Sequence, residues 1–290
     1  MSTLAIVSAA LAIAGPAAEA TRYLEQQQEP GGGFAEVGRR ADSSLTAWVA
    51  LALAAAVGAP EVQARTLEFL RAREGEIRSE TDLALHVLAR SALGDRPTAL
   101  LDRLRGHRPG ALVNATIWAT LALRAAGERP PPSFVKAILG AQARSGGWSW
   151  SRGGRPDSND TAAALQALRA EGVSGIAVDR GLAALRLFQN ADGGFALVRG
   201  RPSDAQSTAW AIQAYLAAGR TPAKAAFRFL ARLERADGGY RYTLAYATTP
   251  VWVTAQLVPA LAGKPFPFPP AGEPGGDTVR GRGGVARTAG

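Results

Sequence analysis

Long apolar runs alternate along this chain with short, polar, glycine-rich turns. The runs at 47–57, 117–126, 162–170 and 208–218 are built of alanine, leucine and a few larger residues on nearly every helical face. Helices of that kind are buried on most sides. Period-two alternation of β-branched residues is scarce, which excludes an all-β fold. A Thr-Ala step marks four of the helices, at Thr46-Ala47, Thr161-Ala162, Thr208-Ala209 and Thr254-Ala255. Leu83-Ala84 and Thr116 hold the same place in two weaker copies, so the register points are 46, 83, 116, 161, 208 and 254. Self-similarity at a spacing of roughly 20 to 50 residues marks stacked supersecondary units.

The turns repeat as strictly as the helices. Gln28 leads to Gly32-Gly33-Phe34, Gln142 to Gly146-Gly147-Trp148, and Gln189 to Gly193-Gly194-Phe195; Glu234 leads to Gly238-Gly239-Tyr240 with the same offset. A chain reversing after a helix needs a residue at positive φ, and glycine supplies it. Each unit therefore reads as two helices joined by a Gly-Gly turn. Six such units predict an all-α protein, a single closed (α/α)6 ring over residues 21–263. Its inner helices should begin near 43, 80, 113, 158, 205 and 250.

The two ends differ from this body. Leu4 to Ala14 is an unbroken small-apolar stretch, and Ala18-Glu19-Ala20 has the small-x-small form of a secretory cleavage site. Residues 1–20 are thus either a signal peptide, which would place the protein outside the cell or in its envelope, or the start of a first helix begun by Pro16 in a cytoplasmic protein. The stretch is too short to span a bilayer stably. Residues 264–290, rich in Pro, Gly and Arg and without a helical apolar period, read as a disordered tail.

With 290 residues and 47% hydrophobic content, the chain can bury a large core. Its formal charge of +9 is carried almost wholly by arginine. Those arginines are spread out rather than clustered and alternate with few aromatics, which argues against a nucleic-acid partner. Cysteine is absent, so disulfides, thiolate nucleophiles and cysteine-bearing zinc sites are excluded. The two histidines, His86 on an apolar helix and His107 in an Arg-Gly-His-Arg-Pro loop, do not stand at ligand spacing. No metal and no cofactor is called for.

The Gln-x3-Gly-Gly-aromatic repeats, with Arg180-Gly181 and Ala184-Leu185 at the expected distance before Gln189, resemble those of the terpenoid cyclase and protein prenyltransferase superfamily. That resemblance implies an α/α toroid in which Gln28, Phe34, Gln142, Trp148, Gln189 and Phe195 tie adjacent helix pairs together, with Glu234 departing from the pattern. Class II cyclases of that superfamily protonate an alkene or epoxide with an Asp-x-Asp-Asp-Thr-Ala motif. This chain has Asp157-Ser158-Asn159-Asp160-Thr161-Ala162. The change falls on the position that the resemblance makes the proton donor, and an amide is no Brønsted acid toward carbon. Asp160 sits one helical step, about 100°, from that direction.

Asp42, Asp157 and Asp204 all stand four residues before their Thr, where aspartate is a good N-cap. Capping accounts for Asp157 without catalysis. Asp160 has no counterpart, since Leu45 and Ser207 occupy its place. Asp157 and Asp160 are the catalytic candidates on resemblance. Trp148, Trp150 and Trp210, with Asp160, are the candidate ligand-binding set, because aromatic faces accept an apolar molecule or a cation. Asn159 and the length of a single toroid favour a non-catalytic protein that binds an apolar, isoprenoid-like small molecule and does not cyclise squalene or geranylgeranyl diphosphate. The alternative is a class II-type terpenoid cyclase with a degenerate acid motif.

Overall fold

The computed structural model describes residues 15–268. Its outer helices are α1 (Pro16–Gln26), α3 (Pro60–Ala72), α5 (Thr98–Arg105), α7 (Pro132–Gly140), α9 (Ile176–Arg186) and α11 (Lys224–Ala231). They alternate with inner helices α2 (Ser43–Ala55), α4 (Glu80–Ala92), α6 (Val113–Ala125), α8 (Ser158–Ala170), α10 (Ala205–Ala217) and α12 (Pro250–Leu261). The inner helices begin at the positions the register predicts. Each packs on the next in chain order, and α12 packs on both α10 and α2 to close the ring. Among the described residues there are no strands, only isolated bridges in the turns.

The repeat residues act locally. Asp42, Asp157 and Asp204 each accept a backbone N–H three residues on, from Leu45 at 2.8 Å, Asp160 at 2.8 Å and Ser207 at 2.7 Å. The threonine of the Thr-Ala step accepts the backbone N–H of the turn aromatic, as Thr161 Oγ1 does from Trp148 at 3.0 Å. Phe34, Phe195 and Tyr240 donate in the same way to Thr46, Thr208 and Thr254. In the degenerate third unit, where no Gly-Gly turn exists, His107 Nε2 stands 3.0 Å from Thr116 Oγ1 in that role.

The Gly-Gly pair does more than reverse the chain. Gly146 has a φ of +93°, and a Cβ there would lie 2.4 Å from the Arg180 carbonyl oxygen. The turn therefore touches the next outer helix backbone to backbone. Gln142 Nε2 completes the joint by donating to the Gly146 and Ala177 carbonyls, both at 2.8 Å. Gln28 does the same for the first joint through the Val62 carbonyl at 2.9 Å. Glu234, at the last joint, meets Glu19 of α1 instead, and burial pushes its carboxyl up. The ring is closed on its inner side by Glu36, whose carboxylate accepts the backbone N–H groups of Val251 and Trp252 at 3.3 and 2.8 Å.

One expectation about the ends is changed. The tail does not begin at 264: Phe266 and Phe268 are buried in the core, and the Phe266 N–H donates to Gln166 Oε1 at 2.8 Å. Five apolar or proline-rich residues after α12 thus return to the ring, because two phenylalanines supply enough apolar area to hold them there. Residues 269–290 lie outside the described residues. At the other end, residues 16–20 are the first turns of α1, with Ala20 buried, while Leu4–Ala14 lies outside the described residues.

Candidate functional site

The six inner helices point the same register positions at the ring axis. Two residues before each register point stand Ser44, Thr81, Asn114, Asn159, Gln206 and Trp252, and all six line one cavity of about 370 Å³. Four residues further along each helix the same face returns. There Trp48, Leu85, Trp118, Trp210 and Gln256 line the cavity more deeply. At a rise of about 1.5 Å per residue the second tier lies about 6 Å below the first.

Three tryptophans close that second tier. Trp48 and Trp118 meet edge to face with ring centroids 5.5 Å apart, Trp118 and Trp210 at 5.4 Å, and Trp48 and Trp210 at 6.0 Å. Trp210 Nε1 donates to Gln256 Oε1 at 2.9 Å, and Gln206 Nε2 donates to the same oxygen at 2.8 Å. Trp210 is thereby fixed across the axis, and the three indoles form an aromatic floor.

The wall carries the acids. Asp160 is 5% exposed and lines the cavity with Asp157 and Asp82, and among the described residues no basic side chain lines it. Asn114 Nδ2 donates to Asp160 Oδ1 at 2.6 Å from the neighbouring helix α6. Burial pushes the Asp160 carboxyl up to about 8; the adjacent Asp157 carboxylate adds to the rise, and the Asn114 amide opposes it. The Asp160 backbone N–H donates to Asp157 Oδ1 at 2.8 Å, which holds the two carboxyls side by side. Asp157 is itself raised by burial, against that bond and the N–H groups at the start of α8. The pair holds a proton at neutral pH, as two close buried carboxyls do.

The sequence-derived candidates divide. Asp157, Asp160, Trp150 and Trp210 come together at this cavity, with Trp150 half exposed at its mouth. Trp148 does not join them. It is fully buried, its indole N–H donates to the Ile138 carbonyl at 2.7 Å, and its ring packs against Gly181 of α9. It belongs to the joint between helix pairs, so the ligand-binding assignment of Trp148 is corrected. Asp160 keeps its offset of one helical step from Asn159, and from that side, where α6 supplies the Asn114 amide, it still lines the cavity. Asn114, Gln206, Gln256 and Trp252 were missed as site residues. Counting two back and two on from each register point finds all four.

His86 and His107 lie elsewhere, His86 buried in α4 and held down to about 4 by that burial. Among the described residues no three His, Asp or Glu side chains gather as a metal site, and no helix is long and apolar enough to cross a membrane. A larger groove of about 570 Å³ lies beside the cavity, between loops around Val198–Ser203 and Tyr242–Tyr246. Its one buried carboxyl, Asp204, is occupied by the N–H and hydroxyl of Ser207 at 2.7 and 2.8 Å.

The closed α/α ring is a fold that solved terpene cyclases share. No family model matches the chain, and no curated protein matches it in sequence. The type II terpene cyclase MstE from Scytonema, solved with geranylgeranyl dihydroxybenzoate as substrate, is 16% identical with a TM-score of 0.61, over 85% of this chain and 95% of that one. A protein from Actinoplanes is 18% identical with a TM-score of 0.61, over 86% and 98%. The ent-copalyl diphosphate synthase from Streptomyces platensis is 21% identical with a TM-score of 0.52, over 76% of this chain and half of that one.

Proposed function

We propose that this protein is a class II-type terpenoid cyclase in which Asp160 protonates the terminus of a short prenyl chain lying on the tryptophan floor. The observation that supports it most is a proton-holding carboxyl pair on the wall of an aromatic cavity that, among the described residues, no basic side chain lines. Transfer of the Asp160 proton makes a C–H bond to a terminal alkene, or an O–H bond to a terminal epoxide, and leaves a carbocation and the Asp160 carboxylate. The Asn114 N–H stabilises that new carboxylate, and the faces of Trp48, Trp118 and Trp210 stabilise the cation. Ring closure then consumes the next alkene, and proton loss from the last cation ends the sequence. The prenyl substrate of MstE lends the same fold to this chemistry.

The cavity limits the chain length. At the roughly 30 Å³ that a water occupies in the liquid, 370 Å³ holds about a dozen non-hydrogen atoms. A geranyl or farnesyl tail matches that, with its head group at the mouth beside Trp150.

Binding without turnover is favoured by one observation, Asn159. It stands in the upper tier of the cavity, where the resemblance implies the donor, and burial makes Asp160 release its proton less readily than an ordinary aspartate. Product analysis decides between the two. Farnesyl substrates with alkene and epoxide ends are incubated with the natural protein, Asp160→Asn and Asn159→Asp. Cyclised product from the natural chain, lost in Asp160→Asn, supports the cyclase. Product only from Asn159→Asp shows a binding protein that kept its pocket and lacks its acid.

A further inference from the structure

The aromatic floor is backed from below by the chain's own C-terminal segment. Seven residues on from the upper tier, α8 presents Gln166 to the axis, about 4.5 Å below the tryptophan level. Its side-chain oxygen accepts the Phe266 N–H at 2.8 Å. The Phe266 ring lies 6.2 Å from that of Trp118 and 5.2 Å from that of Phe268. Both phenylalanines are buried, and neither lines the cavity. At the level of Gln166 the other inner helices carry Leu51, Leu88, Leu121, Gln213 and Pro259 at the same register position.

We infer that residues 264–268 form an internal plug whose Phe266 sets the depth of the cavity, and through it the length of the prenyl tail accepted. The inference rests on the prenyl reading above. Trp118 holds its place in the floor because Phe266 fills the space beneath it. With that ring removed, Trp118 gains a free volume to turn into and the cavity extends down the axis. Phe268 then stands as the next barrier.

The test is binding rather than turnover. Tryptophan fluorescence, to which the five tryptophans lining the cavity contribute, is titrated with geraniol, farnesol and geranylgeraniol. The natural protein is expected to bind farnesol more tightly than geranylgeraniol. Phe266→Ala should move that ratio toward geranylgeraniol by about tenfold or more, since the added isoprene unit becomes buried. Phe266→Leu, a smaller change that keeps the core filled, should move it part of the way. Farnesol affinity like that of the natural protein together with an unchanged ratio in both variants would overturn the plug and leave the prenyl reading standing. Absence of any quenching by all three alcohols in the natural protein would overturn both.

Discussion

Asn114 Nδ2 lies 2.6 Å from Asp160 Oδ1 and joins the third inner helix to the fourth across the wall of the cavity. Thr81 Oγ1, on the second inner helix, lies 3.4 Å from Asn114 Oδ1 as donor. The Asn114 amide is thus turned so that its N–H, not its carbonyl, meets the acid. That orientation favours the ionised form of Asp160 and opposes the burial that favours the neutral one. The balance between the two sets the proton's hold.

Replacing Asn114 by Leu removes the group that stabilises the Asp160 carboxylate. A hydrogen bond to a charged group contributes about 1.5 to 3 kcal/mol, or about one to two pH units. Asp160 should therefore titrate higher than its present value of about 8. Carboxyl-carbon NMR of the labelled protein measures this directly. A titration that stays in place or falls would show that the amide does not act on the acid.

The same carboxyl makes stability depend on pH. The folded protein holds the Asp160 proton up to about 8, whereas the unfolded chain releases it near the ordinary aspartate value of 3.8. Between those values the folded state binds more protons. Stability from this group is therefore fully present below the lower value and lost as pH rises through the window, by up to about 1.4 kcal/mol per unit. Asp160→Asn keeps the shape and the Asn114 contact but has no proton to lose. It should melt at a higher temperature than the natural protein at pH 8, with the difference vanishing at pH 4.

Gly146→Ala tests the joint between helix pairs. The residue sits at a φ of +93°, with the Arg180 carbonyl 2.4 Å from the added carbon. Left-handed backbone costs a non-glycine residue about 1 to 3 kcal/mol even without a contact. With the backbone of α9 in the way, the loss should be at least about 3 kcal/mol. Denaturant unfolding measures it, and Gly153→Ala is the control, since nothing surrounds that glycine although its φ is also positive. Equal losses at the two positions would show that the close approach contributes nothing.

The ring, its six inner-helix starts and the aspartate caps were all legible before folding was considered. Each depends on groups a few residues apart: a cap and the N–H three residues on, a glycine and its own φ, a Thr-Ala step and the helix it begins. Trp48, Trp118 and Trp210 share one register, two residues after the Thr of their units. What stood opposite each face could not be read in this way. Asn114 and Asp160 are 46 residues apart, and their meeting depends on how α6 and α8 are rotated and staggered, which spacing along one helix does not encode. Trp148 and Trp150 differ by two positions in one turn, yet one fills the joint between helix pairs and the other the cavity mouth. That choice was made by the Ile138 carbonyl and the space over Gly181. Phe266 looks like part of a featureless Pro-rich tail in sequence. Only the closed ring creates the cavity beneath Trp118 that makes its burial favourable.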